Sequence, residues 1–69
     1  MTTTYFLVMD DTVMFAVTVP LERGARDAAL DYFASCMQDE PSGAEVEAMI
    51  GDGTYELFRY DNVERILGA

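Results

Sequence analysis

Residues Tyr5 to Met9 are continuously apolar and rich in strand formers. Asp10-Asp11-Thr12 interrupts them, and Val13 to Val19 resumes a β-prone run. In that second run Val13, Phe15, Val17 and Val19 alternate with Met14, Ala16 and Thr18. Two such runs around a short polar break predict a hairpin. Aspartate suits the turn because its side chain can accept bonds from nearby backbone N–H groups. Pro20 has no N–H to continue a ladder, so the second strand ends there.

The period then changes. From Arg23 to Gln38, the residues Ala25, Ala28, Ala29, Leu30, Phe33, Cys36 and Met37 recur at helical spacing. Asp27, Asp31, Ser35 and Gln38 fall on the other side, and Asp27 lies where a carboxylate complements the helix dipole. Asp39 to Gly43 breaks the helix, with Pro41 disfavouring helical geometry at Glu40. Ala44 to Ile50 carries two signals. Ser42 and Glu45 have the spacing of a helix capping box. Val46, Ala48 and Ile50 alternate with Glu45, Glu47 and Met49, which is strand periodicity. Gly51-Asp52-Gly53 and the strand-like Thr54 to Tyr60 favour the strand, as a second hairpin. Asp61-Asn62 would then cap a short helix, Val63 to Leu67.

The expected fold is α+β in a single domain spanning residues 1–69. Its order is β-β-α-β-β, with a short C-terminal helical turn. One helix packs on one face of a small antiparallel sheet of two hairpins. Val13, Phe15, Val17 and Val19 would face Ala29, Leu30, Phe33 and Met37. The first hairpin is apolar on both faces (Tyr5, Leu7 and Met9 against Phe6 and Val8). One helix covers only one of them. Either the terminal helix folds over the second face, or that face is open to a partner.

Composition restricts what such a domain does. Thirteen Asp and Glu stand against four Arg, for a formal net charge of −9 on 69 residues, with no His. Direct binding of nucleic acid is excluded, because neutralising phosphates needs clustered cations. The commonest general base and metal ligand is missing. One cysteine forms no internal disulfide and no zinc site. Cys36 is expected as a small buried hydrophobe in a reduced, cytoplasmic compartment. The opening Met1-Thr-Thr-Thr-Tyr-Phe has neither a basic stretch nor a long apolar run, so no signal peptide or membrane span is expected. The core will be thin, since so short a chain buries only about 60% of its unfolded surface.

Candidate chemistry falls to carboxylates. On a strand, Glu45 and Glu47 would sit roughly 7 Å apart on one face, a spacing that overlaps with glycosidase carboxylates. A solvated strand face explains them better in a domain too small for a deep cleft. Asp52 between two glycines lacks the repeated ligands of a calcium loop. No enzymatic activity and no cofactor are expected. Arg23 and Arg26 are expected to pair with Glu22, Asp27 or Asp31, and Arg59 with Glu45 or Glu47.

The acidic surface remains. One reading is a coat that keeps a small protein soluble or suits high salt. The other is an electrostatic lure. A compact chain of this length is about 28 Å across, and B-DNA of that length carries about 16 phosphates. Nine net charges supply about half that density and suit a basic nucleic-acid-binding channel. The candidate partner-binding residues are Asp10, Asp11, Asp27, Asp31, Glu45, Glu47, Asp52 and Glu56.

In size, charge and order of elements the chain resembles the small phage-encoded anti-CRISPR proteins. The resemblance rests on the hairpin ending Val17-Thr18-Val19, the helix from Ala25 to Ala34 and the segment around Gly51-Asp52-Gly53. It carries no signature motif and transfers no functional residue. It implies a cytoplasmic inhibitor, possible as a DNA mimic, that blocks DNA binding by a type I effector complex. Its partner would be a basic surface on a Cascade-type subunit, with no membrane and no direct nucleic acid involved. The competing reading is an interaction module, monomer or weak homodimer, that uses the apolar second face of the sheet.

Overall fold

The computed structural model describes residues 1–62. Five elements follow in the order β1 (Thr2–Met9), β2 (Thr12–Pro20), α1 (Ala25–Cys36), α2 (Gly43–Gly51) and β3 (Glu56–Asn62). The sheet is antiparallel with strand order β2-β1-β3. The apolar run of the sequence is therefore its central strand. β1 also reaches back to Thr2, because Thr2 pairs with Pro20 on one side and Asn62 on the other.

The first hairpin forms as the alternation predicts. Asp10 and Asp11 make its two-residue turn, with φ of 51° and 61°. Positive φ at both central positions matches the right-handed twist of paired strands, and aspartate tolerates it better than most residues.

The expected second hairpin does not form. Ala44 to Ile50 belongs to α2, so the described sheet has three strands and not four. The capping signal outweighed the alternation. Ser42 is the N-cap, and its hydroxyl accepts the Glu45 N–H at 3.2 Å. In a helix only Val46 of the alternating apolar residues is fully buried, against α1. Gly51-Asp52-Gly53 ends α2 instead of turning a hairpin. Asp52 N–H donates to the Ala48 carbonyl, and Gly53, at φ 89°, donates to that of Ile50. Asp61 and Asn62 lie in β3, not at a helix cap, and the expected helix Val63 to Leu67 lies outside the described residues.

α1 is shorter than expected and starts at Ala25, after Gly24 in the left-handed region at φ 88°. Its buried stripe is Ala25, Ala29, Leu30, Phe33 and Ala34, lying over β2 and β1. Ala28 and Cys36 are exposed, so Cys36 is not the buried hydrophobe expected. Helical spacing places it at the edge of the stripe, where α1 ends and cover runs out. The fully buried side chains are Phe33, Leu7, Val46 and Thr3. Each large apolar one contributes about 1.5–3 kcal/mol by leaving water. Phe33 is joined by Phe15, with ring centroids 6.2 Å apart.

Val13 was expected to face the helix with Phe15, Val17 and Val19, and does not. Leu7 pairs with Phe15 and Val8 with Val13, which leaves Met14 as an extra residue in β2. That bulge reverses the alternation. Phe15, Val17 and Val19 pack on the core, while Val13 shares the opposite face with Val8 and is 56% exposed.

Candidate functional site

All twelve acids among residues 1–62 are exposed. Two of them pair with arginine, Glu47 with Arg26 at 2.6 Å and Asp61 with Arg59 at 2.7 Å, which leaves ten without an arginine partner among the described residues. Neither pairing is the expected one. Arg26 reaches across to α2 because the two helices pack together, and Arg59 meets Asp61 because i and i+2 share a strand face. Exposed pairs of this kind contribute about 0–1 kcal/mol.

The eight candidate acids do not converge on one site. Asp10 and Asp11 occupy the hairpin tip, and Glu56 lies on the uncovered face opposite Val8. Asp52 is held at the end of α2, where Oδ1 accepts the Thr54 hydroxyl at 2.6 Å and its N–H at 2.9 Å. Those two bonds stabilise the carboxylate and lower its pKa. Glu45 and Glu47 do not share a strand face. Two positions apart on a helix, they diverge, one to the α2 N-terminus and one to Arg26. Asp27 is open to solvent on α1. Asp31 has a structural place, because a methyl group on Gly43 would collide with its Oδ1. Its carboxylate therefore sits against the first turn of α2, the positive end of that helix.

At β3 the carboxylate of Asp61 accepts from Arg59 Nε at 2.7 Å and from the buried Thr3 hydroxyl at 2.8 Å. The arginine first, and the hydroxyl second, hold Asp61 below the usual carboxylate range, while Asp61 raises Arg59. Thr3 is thereby a buried polar group with its bond made.

Two further surfaces stand out, and only the second was anticipated from the sequence. The first is a groove of about 390 Å³ between the β2 bulge, the end of α1 and α2. Met14, Phe15, Met37, Met49 and Tyr55 give it apolar walls, and Asp39 and Glu45 lie at it as its charged members. The signal available was the methionine content, five in 69 residues, three of which meet here. The second is the face of the sheet that neither described helix covers. By register it carries Phe6, Val8, Val13, Ala16, Phe58 and Tyr60, with Glu56 its one charge among the described residues. Phe58 is 51% exposed and Tyr60 65%. At one end of it Asn62 Nδ2 donates to the hydroxyls of Thr2 and Thr4, and Thr4 bonds Thr18 at 2.8 Å.

Among the described residues no three His, Cys, Asp or Glu side chains are grouped to hold a metal ion. Among them, too, no helix is long and apolar enough to cross a membrane. No protein-family model matches the chain, and no curated protein or solved structure matches it either.

Proposed function

We propose that the protein is a small acidic binding protein that docks on a basic protein surface and blocks it. In its specific form it inhibits DNA binding by a type I CRISPR effector complex. The observation that carries this reading is the ten exposed acids without an arginine partner among the described residues, on a chain of net charge −9. Unpaired surface charge does little for stability, and it accelerates encounter with a surface of opposite sign. Since the acids surround the fold without converging, the charge acts as a field, and contact specificity comes from elsewhere.

Capture of a purified type I effector complex by the immobilised protein tests this. The complex should form at low salt and weaken steeply at high salt, because exposed pairs are screened over about 10 Å at 0.1 M. Neutralising Asp27 and Glu45 together should weaken capture. Asp27 is exposed and makes no side-chain hydrogen bond or ion pair among the described residues, and Glu45→Gln keeps a residue fit for the capping box. Glu47 and Asp31 are poor choices, because each also joins α1 to α2. Capture indifferent to both salt and these changes would sink the electrostatic reading.

A second reading rests on the near-neutral sheet face. Two copies meeting through Phe6, Val13, Phe58 and Tyr60 would bury apolar surface with few of their acids opposed. Light scattering at increasing concentration checks it: a monomer throughout the millimolar range ends the homodimer.

A further inference from the structure

We propose that the methionine-walled groove is where the partner is gripped, and that its occupant is a basic amphipathic helix of that partner. This rests on the reading of the protein as a binder of basic surfaces, and adds where and by what chemistry it binds.

Three features of the groove point the same way. Its walls are Met14, Met37 and Met49 with Phe15 and Tyr55, and its volume of about 390 Å³ falls within the range of real ligand sites. Unbranched thioethers repack around side chains of different shape, which suits a surface that grips an apolar stripe. Its charged lining is acidic only, Asp39 and Glu45, with Glu40 the next residue along the chain. A wholly apolar ligand would leave those carboxylates without a partner. Lysine or arginine flanking leucine matches both, because the aliphatic stem lies along the methionines while the cation reaches the rim.

The backbone is irregular at two places bordering the groove. The β2 bulge supplies Met14 as the extra residue, and Met14 lines the groove. Bulges commonly re-aim a side chain beside a functional site. Across from it Glu40 holds φ 46° without being glycine, its N–H bonded to the Met37 carbonyl at 3.1 Å. Left-handed geometry at such a residue costs about 1–3 kcal/mol and tends to persist where a site requires it. The groove is bounded by side chains of both layers, so it reads a stripe of side chains. A strand added to the β2 edge would bond to backbone and leave the groove empty. The i, i+3, i+4 anchors of a helix fill it.

The test uses the full chain and a fluorescein-labelled helical peptide of leucine and lysine at amphipathic spacing. A scrambled peptide of equal composition is the comparison. Anisotropy should report a Kd in roughly the micromolar range, at least tenfold tighter than for the scrambled peptide. Met14→Asp, at a position already 41% exposed, should weaken binding at least tenfold. Glu45→Gln should weaken it severalfold and reduce its salt dependence. Ala16→Ser, on the opposite face and exposed, should leave it unchanged. Cys36 also lines the groove and is exposed, so the peptide should slow its reaction with a thiol reagent, a readout that needs no variant. Equal binding of the scrambled peptide, unchanged binding by a folded Met14→Asp protein, or an unprotected Cys36 would overturn the groove. If salt-sensitive capture of the effector complex then persists in the Met14→Asp protein, only the groove is wrong. Loss of capture by the unaltered chain would instead remove the reading on which the groove rests.

Discussion

The two faces of this sheet are built from the same strand and meet different fates. Along β1, Thr3, Tyr5 and Leu7 point toward the helices and are at most 3% exposed. Phe6 and Val8 alternate with them, are as apolar, and remain only partly buried. On β3, Leu57 packs against the core, while its neighbour Phe58 is 51% exposed. Hydrophobicity does not distinguish the faces. Cover does, because α1 lies across β2 and β1 and α2 packs on α1, so both helices are on one side. Among the described residues neither helix covers that second apolar face, and the groove lies where the cover ends.

The largest test of this contrast compares two phenylalanines. Phe33→Ala should cost about 3–5 kcal/mol, because it opens a cavity in a thin core. Phe58→Ser should stay within about 0.5 kcal/mol, as exposed positions do. Urea denaturation of both proteins measures the difference. A Phe58 variant as damaged as the Phe33 variant would mean that the second face is buried in solution, by another copy or otherwise.

Next in size is the device that puts the second helix on the covered side. Ser42→Ala removes the hydroxyl that accepts the Glu45 N–H, and should lower stability by about 1 kcal/mol. Circular dichroism should show lost helix, and Val46 should become more accessible. A neutral result would mean that packing of Val46 alone holds α2. At the hairpin tip, where the faces meet, Asp11→Gly should raise stability by about 0.5–1 kcal/mol. It relieves left-handed geometry at a side-chain-bearing residue.

The smallest effects concern two exposed carboxylates, Asp61 on β3 and Asp52 at the end of α2. Asp61 and Asp52 have lowered pKa values in the folded protein. The unfolded chain therefore binds more protons below the ordinary aspartate value of about 3.9. Their contribution is present above that pH and is lost as pH falls through the folded values. Asp61→Asn and Asp52→Asn should each flatten the acid limb of a thermal-melting profile. An unchanged limb in both would mean that the bonds to Arg59, Thr3 and Thr54 do not persist in solution.

Much of the fold was legible wherever one periodic signal stood alone. The first hairpin, its aspartate turn and its end at Pro20 follow from alternation and turn chemistry. The stripe through Ala29, Leu30 and Phe33 follows from helical spacing. Errors arose where two local signals competed. Around Val46 a capping box and an alternation coincided, and alternation was the weaker guide because Val46 and Ile50, four residues apart, share a helix face that packs on the core. Val13 was misplaced because a bulge leaves no mark in apolar spacing, yet reverses every side chain beyond it. Cys36 was misplaced because helical phase says which side a residue takes and not how far the neighbouring layer extends. Of the site, the acids were legible as exposed, since charge avoids a core. Their pairings were not, because Arg26 and Glu47 meet only once the two helices pack.

By itself, then, the sequence determined a charged exterior, a β-hairpin, its apolar first strand and the helix that covers it, since each rests on contacts within a few residues or on the cost of burying charge. The tertiary structure alone decided that the segment after Ser42 is a helix on that same side. It also decided that β3 joins β1, that a bulge turns Met14 into a groove, and that both described helices lie on one side of the sheet. Those outcomes depend on which distant surfaces are available to bury an apolar residue, and no local pattern of residues carries that information.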